Sequence, residues 1–396
     1  MRERDWDPRA VEVTRDQRGC LDALRSRCPV AYSDELQWSV FRHADVVRVA
    51  EDHETFSNVV SAHHNVPNGM DPPEHGVYRA AIEVFFADEH LGAFEPACRE
   101  IASRLLAPLA RQPMFDCVEQ FAVPFAARCQ CAFLGWPEPI AERLQQWTAR
   151  NQSATRERDR QALAEVAREL TEMVGALLEA RRASTDLCDD VTGTLMRTEV
   201  YGRRLEDVEL TSIFRNWTMG EVGSLAASVG IIAHALALDS TLQSRLRDDQ
   251  TLIASAIDEI LRVRGPLLFN RRVAKRDVVV GRRRIAAGER VALMWSAANR
   301  DDAVFDAADE IRLDRDQQSS LLWGTGIHVC PGAPLARLEL RVAVEALLAA
   351  LPRITLVEDA ATDEPYPGNG FAELRLAGAP ASDQRATLSL HEEGDQ

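Results

Sequence analysis

The chain nearly lacks lysine: Lys275 is the only one among its 46 basic residues, the rest being arginine. That bias speaks of genome composition more than of function. A surplus of positive charge is missing too. The formal net charge of −16 argues against a general nucleic-acid binder, because phosphate contacts need a basic surface. No apolar run of about 18 residues or more stands out, so no membrane span is expected. The opening MRERDWDPRAVEV has no apolar core of the kind a secretory signal needs, and a cytoplasmic location is expected. The cysteines follow no framework spacing: Cys20, Cys28, Cys98, Cys117, Cys129, Cys131, Cys188 and Cys330. A chain of this length needs no covalent staples, so reduced thiols are expected. Cys129-x-Cys131 lies in an apolar helical run, where packing is a plainer role than metal binding. With 46% hydrophobic and 27% charged residues, the composition is that of an ordinary globular enzyme.

What the chain does have is concentrated in Leu321–Arg341, LLWGTGIHVCPGAPLARLELR. Gly324 and Gly326 precede a lone thiol, Cys330, and Gly332 and Pro334 follow it. An apolar helical stripe then starts, with Leu335, Leu338, Val342, Ala346 and Ala349 at spacings of three and four. This reads as a tight loop feeding a helix N-terminus. The glycines permit left-handed backbone and let something bulky lie against the main chain. Free amides and the helix dipole beside the sulfur favour its thiolate. The residues alone leave three readings of Cys330: an inert buried thiol, a zinc ligand with His328 but short of partners, or a nucleophile awaiting a base.

The run from Trp323 to Gly332, WGTGIHVCPG, resembles the haem-binding loop of the cytochrome P450 family, with Trp where the family usually has Phe. The resemblance implies haem b as cofactor and Cys330 as its thiolate ligand, which favours O–O cleavage. It implies Trp323 and His328 as further cofactor contacts, His328 toward a propionate. Three other segments agree. Asp71-Pro72-Pro73-Glu74-His75 opens a helix, and His75 and Arg79, four apart, share a face. By resemblance both grip haem propionates, as does Arg272. Glu259-x-x-Arg262, common on helices in general, matches the family's structural ion pair behind the haem. The family's third partner has no obvious counterpart, since Asp309-Glu310-Ile311-Arg312 stands in place of a Pro-Glu-Arg-Phe-like segment.

Along the chain, residues 1–28 read as an N-terminal segment, 29–380 as one haem domain and 381–396 as a disordered tail. Short alternating runs at 29–32 and 37–41 read as strands, and 42–51 as a short helix. From about 91 to 186 helix follows helix with no strand between. The expected fold is mainly α with a small β region in a single domain. The loop 57–70, with His64 and Asn65, resembles the family's mobile loop over the substrate. Leu267, Leu268, Asn270 and Phe371 are the other expected pocket residues. The charged run 156–160 reads as a solvated connection and, by resemblance, as part of a lid.

Residues 205–238 form the longest helical candidate, apolar nearly all round as a core helix is. Gly220, Gly223 and Gly230 weaken it by roughly 1 kcal/mol each, so something is expected to approach its backbone. By resemblance it crosses the distal haem face. The family's acid–alcohol pair is not matched: anchoring on Gly220 puts Val222 and Gly223 there. Glu221 and Ser224 are the candidate catalytic residues, usable only if the helix is distorted.

The resemblance implies a haem-thiolate oxidase tailoring a secondary metabolite by monooxygenation. A second reading is oxidative coupling of aromatic substrates, such as tryptophan-containing cyclic dipeptides, without oxygen insertion. The irregular Met219–Ser224 stretch leans toward it. A remote third is a non-catalytic haem sensor. No flavin or iron–sulfur segment is evident, so a ferredoxin and ferredoxin reductase are the expected partners, docking on a face made basic by Arg337 or Arg341.

Overall fold

The computed structural model describes residues 3–61, 64–184 and 189–378, with the side chains of 358–360 excepted. The expected tail at 381–396 and Cys188 lie outside these residues. Both expected strands form. Gln37–Val40 pairs antiparallel with Val30–Ser33 and parallel with Arg290–Met294. Arg290–Met294 pairs antiparallel with Phe269–Ala274, and Phe56–Ser57 completes a five-stranded sheet. The helix at His43–Glu51 buries Val46, Val49 and Ala50 on one side, as its spacing dictates.

The rest is mostly helix around one large apolar core, with two smaller clusters at the sheet. In one of those, Trp6, Leu21 and Leu24 pack with Phe41, Leu268 and Tyr366. Residues 3–28 are therefore built onto the body, not appended to it.

Two expectations need correction. Residues 91–186 are not purely helical: Met114–Asp116 is a strand, paired in register with residues of Phe371–Ala377. Three residues are too few to show an alternating pattern. The central helix, Asp207–Leu238, is also long and apolar enough to cross a membrane by length and composition, with a mean hydropathy of 1.6 over its best window. More than half of that window is buried in the protein, at 56%, as befits a rod through a core. Its turns widen over Met219–Leu225 into π-helix, the distortion that use of Glu221 and Ser224 requires.

Candidate active site

Gly324 and Gly326 have φ of 75° and 70°, the left-handed region where a side chain strains the backbone. A Cβ on Gly326 would also come within 3.1 Å of the Ala50 carbonyl. The loop folds on itself through a bond from the Cys330 amide to the Trp323 carbonyl, 2.8 Å, and enters the helix Ala333–Ala350. Cys330 is accessible, yet protein surrounds it closely enough that burial raises its thiol pKa. The amides of Gly332 and Ala333 and the Arg79 charge pull the other way without prevailing. The dipole argument alone thus overstates the thiolate; a bound metal ion deprotonates such a thiol outright.

The helix Glu74–Glu83 brings His75 and Arg79 to this loop, both buried. Arg79 donates to the Val329 carbonyl at 2.6 Å and to Glu83 at 2.5 Å. The rings of His75 and His328 lie 4.1 Å apart. Burial, then the positive charges around it, lowers the His328 pKa to about 3, and burial lowers that of His75. Both are neutral imidazoles at physiological pH, each able to donate one N–H. Arg272 is buried, its pKa pushed by burial to about 10 against the pull of Asp71.

Several buried donors here have no partner among the described residues: Nε2 of His75, Nε2 of His328 and Nε1 of Trp323. Buried polar groups left unpaired cost about 1–3 kcal/mol each, so the arrangement calls for an acceptor. Apart from the adjoining residues and backbone of its own helix, no described atom lies within 4 Å of where a Cβ on Gly220 or Gly223 would sit. Protein packing therefore does not dictate glycine there, and a flat group can lie on that backbone. The residues fit haem b, with Cys330 for its iron and His75, Arg79, Arg272 and His328 for its propionates. Replacing Arg272 with Gln should speed haem loss to an acceptor protein about 10–100-fold, the worth of one charge-assisted bond; unchanged transfer would remove Arg272 from the cradle.

Behind this loop, Glu259 and Arg262 are fully buried and bonded twice, at 2.8 and 2.9 Å. The third partner, which the sequence left open, is Arg315, whose Nε meets Glu259 Oε1 at 2.6 Å. Arg312 contributes only its backbone N–H, its side chain turning to Asp306 and Asp314. Gln317 adds a bond at 2.9 Å.

The expected pocket residues do not all converge. Leu267 is exposed, whereas Leu268 belongs to the cluster around Trp6. Asn270 accepts from Trp295 Nε1 at 2.8 Å. Phe371 departs from expectation: its ring packs on His234, centroids 4.5 Å apart, and under the Arg264 guanidinium at 4.1 Å. It is core packing, because an aromatic ring beside a strand end is buried as readily as it is displayed. Asn65 is half-buried. The loop at 64–66 is tied to the central helix: Ser212 and Arg215 donate to the His64 carbonyl, Asn216 to that of Val66, and the Val66 amide donates to Ser212. The 156–160 run is exposed except at half-buried Arg156, with Arg158 paired to Glu35 and Arg156 to Glu364 at 3.9 Å.

Two more departures concern charge. A groove of about 400 Å³ between the helices at 88–109, 253–263 and 333–350 is lined by Arg337 and Arg341, but also by Asp88, Glu95 and Asp258. Arg337 pairs with Asp258 and Arg341 with Glu95 and Glu345. With three carboxylates against two guanidiniums, this face is not the basic one expected, and the groove holds none of the expected pocket residues. Secondly, the sequence reading missed a second carboxyl in the core, that of the fully buried Glu339, whose side-chain oxygens have no partner among the described residues. The apolar stripe drawn through Leu338 and Ala346 runs beside it; the face actually buried carries Leu335, Glu339, Val342 and Ala343.

The comparisons with known proteins agree with this geometry. A family model described as Cytochrome P450 matches residues 232–361. A putative cytochrome P450 of Bacillus subtilis, YjiB, is 30% identical, covering 85% of this chain and 87% of its own length. The mycinamicin IV hydroxylase/epoxidase of Micromonospora griseorubida is 32% identical over 84% of this chain and 86% of its own. This chain belongs to the cytochrome P450 family. The solved structure of a mutant P450 EryK in complex with erythromycin B superposes with a TM-score of 0.84 at 28% identity, over 92% of this chain and 97% of that one. The P450 described here is accordingly an oxidoreductase that uses haem b.

Proposed function

We propose that this P450 is a monooxygenase that places one oxygen atom on a small secondary metabolite, with electrons from a separate ferredoxin and its reductase. The observation that carries the reading is the set of buried, unpartnered donors at His75, His328 and Trp323 around an accessible Cys330. Bound there, haem would supply dioxygen activation. The chain's own residues hold it, exclude water and manage protons. The neutral imidazoles donate to the propionates, and Arg79 and Arg272 neutralise them. Proton supply is assigned to Glu221 and Ser224 on the widened turn, where burial holds the Glu221 pKa up at about 7, close to what a proton donor needs. The relatives named hydroxylase and epoxidase favour oxygen insertion over coupling.

The test is product mass with the haem-loaded protein, ferredoxin, reductase and reduced nicotinamide against a panel of metabolites that shift its absorption spectrum. Gain of one oxygen supports the reading. Loss of two hydrogens with two rings joined establishes coupling instead. No turnover with any donor leaves a haem sensor. Because Arg337 and Arg341 are already held in surface pairs worth at most about 1 kcal/mol, neutralising both should slow reduction by ferredoxin no more than about fivefold. A larger, salt-sensitive loss would make that groove the docking site after all.

A further inference from the structure

Side chains of the strand Phe269–Ala274 alternate between its faces, so Phe269 and Arg271 turn away from the side that carries Arg272. The Arg271 guanidinium lies over the Phe269 ring, 5.4 Å from its centroid. That ring stacks on Tyr366 at 6.3 Å, and the Arg9 guanidinium lies over Tyr366 at 5.4 Å. Arg9 in turn pairs with Glu35 at 2.8 Å, and Arg158 pairs with the same carboxylate. Arg9 precedes the first helix, Val11–Arg15, and Glu35 sits in the turn between the first two strands. Arg158 joins the helices Ile140–Glu157 and Arg160–Ala183, and Tyr366 lies in the loop before Phe371–Ala377. Groups far apart in the chain are thus gathered into one cluster.

The cluster is short of negative charge and of acceptors. Arg9, Arg158 and Arg271 have one carboxylate between them, in a chain whose formal net charge is −16. Arg156 and Glu364 alongside pair with each other and leave that surplus unchanged. Glu35 is already taken by Arg9 and Arg158. The Nε of half-buried Arg271 is sealed from water and has no hydrogen-bond partner among the described residues. The Tyr366 hydroxyl is in the same state, on a residue only 7% exposed. Burial, then the Glu35 carboxylate, raises the Tyr366 pKa, so the hydroxyl keeps its proton and stands as a donor. Buried donors left unpaired are costly, and what this set lacks is an acceptor.

We propose that Arg271 and Tyr366 form a binding site for the carboxylate of a small organic acid, with Arg9 and Arg158 supplying the attracting charge. A guanidinium fork matches carboxylate and phosphate alike. The rings of Phe269 and Tyr366 offer a bed for hydrocarbon, which favours the carboxylate of an apolar molecule over a free inorganic ion. The surplus of positive charge draws such acids from solution. Use of the site to receive substrate rests on the monooxygenase reading, with 156–160 as the lid; the binding itself does not. The experiment therefore measures binding, with no electron donor present.

Calorimetry on the haem-loaded protein at pH 7.5 and low salt uses octanoate and its neutral counterpart octanamide as probes. Octanoate should bind at least about tenfold more tightly, the worth of one charge-assisted bond. In Arg271→Gln the two should bind within about twofold of each other. Tyr366→Phe, which removes an otherwise unpartnered hydroxyl, should weaken octanoate about fivefold and leave octanamide within about twofold. Equal affinities in the wild type, or a preference for octanoate that survives Arg271→Gln, overturn the proposal. Inorganic phosphate alone binding as tightly as octanoate would make this a free-anion site and overturn it too. If Arg271→Gln loses its haem absorption, Tyr366→Phe decides: weakened octanoate supports the site, and unchanged octanoate refutes it. A protein that couples rings or fails to turn over, yet prefers octanoate, keeps the site and loses only the monooxygenase reading.

Discussion

Cys330→Ala is expected to lose the thiolate-type carbon monoxide spectrum and the oxidase activity with it. The sulfur lies where the Gly324–Gly326 turn delivers it, with the amides of Gly332 and Ala333 beside it. Among the described residues no other thiol is placed to replace it: Cys98, Cys117, Cys129 and Cys131 are buried, and Cys20 and Cys28 belong to the N-terminal helix Gln17–Arg27 and its C-terminal cap. Outer-sphere partners of a metal site typically cost 10–100-fold when lost, so removal of the ligand itself should exceed about 100-fold. His328 is two residues away, and a variant that held iron through it would show an imidazole-type spectrum. A Cys330→Ala protein retaining the wild-type carbon monoxide band would show that the iron is bound by another residue.

The second large effect is expected from Glu259→Ala. Glu259 and Arg262 are both wholly inaccessible, with Arg315 and Gln317 completing the carboxylate's partners. Removing the carboxylate strands a buried guanidinium, at about 3–5 kcal/mol. At about 2 °C per kcal/mol, the large-domain end of the scale, the melting midpoint should fall by roughly 6–10 °C. A drop of under about 2 °C would mean that the backbone carbonyls of Asn299, Ala308 and Glu310, which also bind Arg262, hold it unaided. The same carboxyl sets an acid limit. Burial would raise its pKa, but the bonds from Arg262, Gln317 and Arg315 prevail and bring it down to about 2. A depressed carboxylate stabilises the fold above its unfolded pKa of about 4.3 and loses that contribution as pH falls toward 2. Wild type should therefore lose stability across that window, and Glu259→Ala should show a shallower acid slope in melting experiments.

The thiolate loop, the His75–Arg79 face and the Glu259–Arg262 pair were legible because each is a local pattern, fixed by spacing along one helix or one turn. Arg315 was not, because its bond to Glu259 spans 56 residues of strands, turns and loops, a separation that no single periodicity describes. Glu339 escaped for a related reason. A stripe drawn through Leu338 and Ala346 differs from the buried face by about one residue, and a carboxyl inside a core contradicts the polarity on which the pattern relies. Phe371 was misread because its sequence position says nothing of Arg264 and His234, which close over its ring.

The loop at 64–66 bears a mechanical consequence. Its carbonyls and amide are buttoned to Ser212, Arg215 and Asn216, within about two turns of where the rod loosens at Met219. Any displacement of these residues would therefore strain bonds to the same rod, so that loop and widened turn are mechanically joined through one helix.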